Sequence, residues 1–321
     1  MSDNESVESS SSEEISPPWG TIPAEIYLLN NYDPQSPLPP SEQAKILISS
    51  YIQSGQRQAR YPPPPPPALG PQELIFLKAW RPLSIRHLAT DPGQIGNVWL
   101  RTFYGPGSDA KHAALISHID LDNAIDKEER LLDDRLLYGR LEGKWNGLLE
   151  LLPELLVADW EGDERWLGYR RRIAKDVEAF RNAKKRFEHG AVAVGDVAEG
   201  TDELAEAMER LRAFLPEEEV QPRILEVLRS HVQAECVVAY LIVEDEEALE
   251  EEEGLLLLSF VDAFGRVVRS NRVCASEAEQ MGGFWLEEAW GDIAEWQNGK
   301  TGSDYEDDEA WEALLKHEEL S

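Results

Sequence analysis

The chain has 321 residues, 42% of them apolar, and its 62 acidic against 31 basic side chains give a formal net charge of −31. The apolar share is enough for a core and excludes a wholly disordered chain, and the acidic balance argues against general affinity for nucleic acid or anionic lipid, whose phosphates it repels unless a local basic patch overrides the mean field. Two cysteines, Cys236 and Cys274, are too few for a disulfide framework, and the longest apolar run, CVVAYLIV, is far shorter than the roughly 20 residues of a membrane-spanning helix. A soluble protein of a reducing compartment, cytoplasmic or nuclear, is expected, with no membrane contact.

Residues 1–17 are rich in Ser and Glu, contain almost nothing to bury, and should be disordered; Ser10 and Ser11 each have a glutamate three residues on, a pattern acid-directed kinases read. The stretch WGTIPAEIYLLNNYDPQSPL (19–38) is too apolar for a free tail and too broken by proline for a long helix, so it should pack as an arm. Ser41 is placed to cap a helix to about Ser54, with Ala44, Leu47, Ile48, Tyr51 and Ile52 at helical spacing.

Six prolines follow within RYPPPPPPALGPQEL. A polyproline II run of that length spans about 19 Å, and Arg60 with Pro63 and Pro66 has the spacing that SH3 domains read. Flanked closely by helices, the segment 61–71 equally suits a stiff connector, which is the preferred reading.

Beyond it, residues 71–80 and 110–116 read as helices with a short strand at NVWLRTFY (97–104) between them. AIDKEERLLDDRLLYGRL and KWNGLLELLPELLVADW carry leucines at i, i+3, i+4 and read as helices broken at Gly143 and Pro153. From about Asp163 to Glu188, Trp166, Tyr169, Ile173, Val177, Phe180 and Phe187 share one stripe of a long helix. Helices from Thr201 and from Pro222 follow. The period then changes: residues 236–245, 255–262 and 266–274 are β-rich, the last two joined by the tight turn DAFG. The run EDEEALEEEE (244–253) between the first two is too charged for a core and should face solvent as one helical turn. A final helix carries Met281, Trp285, Ala289, Ile293 and Trp296 before a second acidic tail.

The expected fold is α+β: one mainly helical domain over 18–298 with a small three-stranded antiparallel sheet at 236–274, and disordered acidic ends at 1–17 and 299–321.

Most chemical motifs fail on inspection. GDVAEGT has phosphate-loop glycines, but Thr201 stands where the lysine belongs. YGPGSDAKH has Ser108 without a nucleophile elbow and reads as a surface loop. DLDNAIDKEE begins like a calcium loop with Asp120, Asp122 and Asp126, yet Ile125 replaces the glycine and Leu131 the bidentate glutamate. If SHIDLD is extended, His118, Asp120 and Asp122 project to one face and could hold a divalent cation, although any half-exposed strand alternates in this way. His231 and Cys236 fall on different elements without an acidic orienter, and His317 and Glu318 lack the second histidine of a zinc-protease motif.

The long helix is the basic anomaly of an acidic chain. Arg171, Lys175, Lys185 and Arg186 project opposite its apolar stripe, and RRIAKDVEAFRNAKKR has the two-cluster spacing of a bipartite import signal. The face could be merely solvated, a partner or import surface, or a clamp for the chain's own acidic segments. Composition and motifs together favour a non-catalytic interaction or regulatory protein with protein partners and no cofactor, using the proline run, the basic helix and the acidic tails. The alternative is an enzyme with a metal-assisted site around His118, Asp120 and Asp122.

Overall fold

A computed structural model of the protein describes residues 19–20, 22–54, 68–78, 80, 85, 96–118, 130–152, 155–156, 164–188, 229–230, 232–251, 254–275, 278 and 300–306. In chain order these form helices α1 (Pro23–Asn31), α2 (Pro40–Ser54) and α3 (Pro71–Lys78), strand β1 (Gly96–Arg101), helix α4 (Ser108–His118) and strand β2 (Leu131–Leu132). Then come helices α5 (Arg135–Tyr138), α6 (Leu148–Leu151) and α7 (Glu164–Glu188), strand β3 (Val237–Glu244), helix α8 (Glu246–Glu250), and strands β4 (Leu256–Asp262), β5 (Val267–Val273) and β6 (Lys300–Thr301).

The sheet corrects the sequence reading. Among the described residues it has six strands in the order β2-β1-β3-β4-β5-β6 and is mixed, not three-stranded and antiparallel, although the class remains α+β. The expected meander is present, with β3, β4 and β5 antiparallel in succession, but it is one half of the sheet. The other half is parallel: β1 lies against β3 from Gly96↔Ala239 to Arg101↔Glu244, and β2 lies against β1 at Trp99↔Leu131 and Leu100↔Leu132. Parallel partners come from distant parts of a chain and leave no turn signature, so this pairing is invisible locally. All eight residues of β3 are buried, as a strand covered on both faces requires, which is why it reads as an unbroken apolar run.

Side chains of the first two helices hold backbone groups of the segments that lead into and out of α1. Gly20 N donates to the buried Glu25 carboxylate (2.7 Å) at the start of α1, and Gln43 in α2 both accepts from Asp33 N (2.9 Å) and donates to Asp33 O (3.0 Å). The described part of the leucine-rich segment, 130–141, is not the single helix its spacing suggests: Leu131 and Leu132 join the sheet, and Asp134 Oδ1 accepts from Leu136 N and Leu137 N, capping the four-residue α5. That cap stops helix from running back through the Asp133–Asp134 doublet. α2 packs on α1, α3 and α5, with Lys45 paired to Asp134 and Ser49 Oγ donating to Leu136 O. The core is a single cluster that joins Leu28, Ile48 and Phe76 of the helices to Trp99, Tyr240, Leu241 and Phe260 of the sheet.

Two further expectations change. The acidic run at 244–253 is not wholly solvent-facing: Glu244 is fully buried, Asp245 Oδ1 caps α8 by accepting from Ala248 N (3.1 Å), and Ala248 and Leu249 are buried. Nor is the chain unpacked from residue 299 onward. Lys300 and Thr301 pair with Ser270 and Arg269, and Tyr305 is buried with its hydroxyl donating to Asp262 Oδ2 (2.7 Å). Gly302 lies so close to the Val267 carbonyl that any side chain would collide with it. The turn after β4 is as expected, closed by Gly265 N to Asp262 O (2.8 Å) with Gly265 at φ +74. The acidic ends at 1–17 and 307–321, the helix expected from Thr201 and the Met281–Trp296 helix lie outside the described residues; of the helix expected from Pro222 to about Val232, Arg229, Ser230 and Val232 are described, and they are helical.

Candidate functional site

The parallel half of the sheet concentrates ionisable groups at one edge. β1 ends in Arg101, β3 ends in Glu244, and Asp133 directly follows β2, so three carboxyl-terminal strand ends meet where parallel sheets commonly bind ligands. The β1–β3 register puts Asn97, Trp99 and Arg101 on the same face as Tyr240, Ile242 and Glu244. α4 starts beside this edge after the turn at Gly105–Gly107 and adds Ser108, Asp109 and His112.

The contacts form a chain. The Trp99 indole N–H donates to Glu244 Oε1 (2.5 Å), Glu244 Oε2 lies 2.6 Å from His112 Nδ1, and His112 Nε2 lies 3.3 Å from Asp133 Oδ2. Arg101, whose side chain is only 4% exposed, donates to Ser108 Oγ (2.9 Å), Asp109 Oδ1 (2.5 Å) and Phe103 O (3.1 Å), lies 3.5 Å from Asp133 Oδ1, and stacks 4.4 Å from the centre of the Tyr104 ring. The guanidinium holds the exposed Asp109 carboxyl below the usual carboxylate range through their hydrogen bond, while burial first and then the Asp133 charge and hydrogen bond push the Tyr104 phenol up. Farther along the same face, Asn97 donates to Tyr240 Oη (2.8 Å) and accepts from Arg130.

Chemically, this edge is a clasp more than an open centre. Its two cations, Arg101 and His112 when protonated, face Asp109, Asp133 and Glu244. Ser108 is not in a surface loop: it is the first residue of α4, 2% exposed, accepting from Arg101 while donating to Gly105 O (2.8 Å), so its hydroxyl is not free to attack a substrate. Among the described residues no group of three or more His, Cys, Asp or Glu side chains is arranged to hold a metal ion.

The residues singled out from the sequence fall elsewhere. His118 is the last residue of α4, so SHIDLD starts as helix and not as strand, and Asp120 and Asp122 lie outside the described residues, as do Arg60, Pro63 and Pro66. α7 is found at Glu164–Glu188, with Ile173, Val177 and Phe180 buried. Arg171, Lys175 and Lys185 are exposed on the side away from those three; Arg186 is on the same helix. Arg172 pairs with the buried Glu235 next to β3, whereas Arg171 and Lys175 make no ion pair or hydrogen bond among the described residues.

The strand-end cluster was not legible beforehand. Trp99, Arg101, His112, Asp133 and Glu244 are scattered through the sequence, and only the parallel register unites them. Among the described residues no helix is long and apolar enough to cross a membrane. No family model, no curated protein and no solved structure matches the chain, so its function has to be argued from these groups alone.

Proposed function

We propose that this chain is a non-catalytic interaction protein that docks an acidic segment of a partner protein on the outward face of α7. One observation carries the reading: in a chain of net charge −31, Arg171 and Lys175 are exposed and without an ion pair among the described residues. Elsewhere Arg101, Arg266, Arg272 and Lys45 all have carboxylate partners. Exposed cations with no carboxylate partner among the described residues are available to a partner. The surrounding negative field disfavours long polyanions such as duplex DNA, while a short acidic peptide meets the local patch alone.

The test is fluorescence anisotropy of a labelled eight-residue polyglutamate peptide titrated with the full chain at low and at about 0.15 M salt. Binding should weaken with salt and fall at least tenfold in the Arg171→Glu, Lys175→Glu double variant. Equal affinity of wild type and variant would refute the reading.

A catalytic reading also has one observation in its favour. His112 Nδ1 is fixed by a buried carboxylate that Trp99 itself holds, the pairing by which a general base is oriented. It moves the enzyme alternative from the His118 segment to the strand ends.

A further inference from the structure

The connection between α1 and α2 reads Tyr32-Asp33-Pro34-Gln35-Ser36-Pro37-Leu38-Pro39. Asp33, Pro34, Gln35, Pro37, Leu38, Pro39 and Pro40 are all exposed, so nearly the whole stretch on either side of Ser36 is open to solvent. Leu38 is 39% exposed, one of the few large apolar side chains to be so among the described residues. Gln43 of α2 anchors the two ends of the loop at Asp33 and Pro39, but between them residues 34–38 are held by light contacts: Ser36 N donates to Asp33 O (3.0 Å), Gln35 N to Asp33 Oδ1 (2.9 Å), and Leu38 N reaches Ser36 Oγ at a long 3.3 Å. Drawing out residues 34–38 costs these three local bonds, and none of these five residues is in the buried core.

We infer that Ser36 is a phosphorylation site for a proline-directed protein kinase. Such a kinase must accept a serine followed by a residue that has no N–H and whose ring fixes φ near −65°, and it binds its substrate extended; Pro37 supplies the first property and the flanking prolines favour the second. Pro34 and Pro39 lie two residues before and three after the hydroxyl, so an apolar groove can grip the chain on both sides. In the transfer, Ser36 Oγ forms a bond to the γ-phosphorus of ATP, the bond to the leaving ADP oxygen breaks, and the hydroxyl proton passes to the kinase's catalytic carboxylate. The product carries about −1.5 to −2 charges at pH 7 beside Asp33, on an exposed loop where an arginine-bearing reader could bind it.

The sequence contains a second Ser-Pro step, Ser16-Pro17, with Glu14 and not proline two residues before it, and this serves as an internal comparison. The full chain is incubated with a proline-directed kinase and Mg-ATP, and phosphate is located by site-resolved mass spectrometry. Phosphate should appear at Ser36, vanish in Ser36→Ala, and form at least tenfold more slowly in Pro37→Ala, whose fold is checked by circular dichroism. Phosphate at Ser16 with none at Ser36, none at either site, or an unchanged Ser36 rate in Pro37→Ala would each overturn the assignment.

Discussion

Asp262→Asn is the most demanding test of how the end of the described chain is held. The Asp262 carboxylate is fully buried and serves four donors: Oδ1 accepts from Phe264 N and Arg266 N, both at 2.9 Å, and Oδ2 accepts from Arg266 Nε (2.6 Å) and the Tyr305 hydroxyl (2.7 Å). Asparagine keeps the shape and the Oδ1 contacts, which close the β4–β5 turn. Its NH₂ group, however, turns a donor toward the guanidinium and removes the only negative charge that Arg266 contacts among the described ion pairs. Burial works against the charge on Arg266, but Asp262 and then Tyr305 outweigh it and push its pKa up, so arginine cannot escape the loss by shedding a proton. Removing one partner of a fully buried pair costs about 3–5 kcal/mol; with the Arg266 side chain 22% exposed and partly solvated, about 2–4 kcal/mol is expected. For a chain of this size that is a fall in Tm of roughly 3–6 °C. Circular dichroism gives the global change. Trypsin cleavage after the exposed Lys300 gives the local one, because release of Tyr305 frees β6, and it should accelerate markedly. Asp304→Asn, at an exposed position next to the anchor, should change stability by less than about 0.5 kcal/mol. A loss below about 1 kcal/mol in Asp262→Asn, or unchanged cleavage at Lys300, would show that the carboxylate does not anchor this segment.

Leu249→Ala should cost about 2–4 kcal/mol in urea denaturation despite lying in the most acidic run of the chain, because the side chain is 1% exposed; a cost below about 0.5 kcal/mol would return that run to the surface. The two thiols should separate in alkylation followed by mass spectrometry at pH 8. Burial, reinforced by the Asp262 charge, pushes the Cys236 thiol up, so it stays protonated there and reacts only as fast as the protein unfolds, while the partly exposed Cys274 reacts first. Equal rates would contradict the burial of Cys236.

How much was legible depended on whether the signal was local. The 3.6-residue stripe of α7, the apolar, β-rich runs of β3 to β5, and the glycine turn after Asp262 are written in adjacent residues, and they stand where the sequence puts them. Leucine spacing alone misled at 130–141, since a short-range cap at Asp134 and a long-range pairing of Leu131 and Leu132 outweigh helical propensity there. Composition misled at Glu244 and Tyr305. A run dominated by carboxylates reads as solvated, yet a buried carboxylate is stable when Trp99 and His112 stand against it, and a tyrosine in an acidic segment is buried when Asp262 receives its hydroxyl. The sequence by itself therefore determined α2, α3 and α7, the antiparallel strands β3 to β5 and the basic face of α7, because each follows from neighbours along the chain. Only the tertiary structure decided that β1 lies parallel to β3, and with it the assembly of Arg101, His112, Asp133 and Glu244, because a parallel register is set by burial between segments that no local pattern connects.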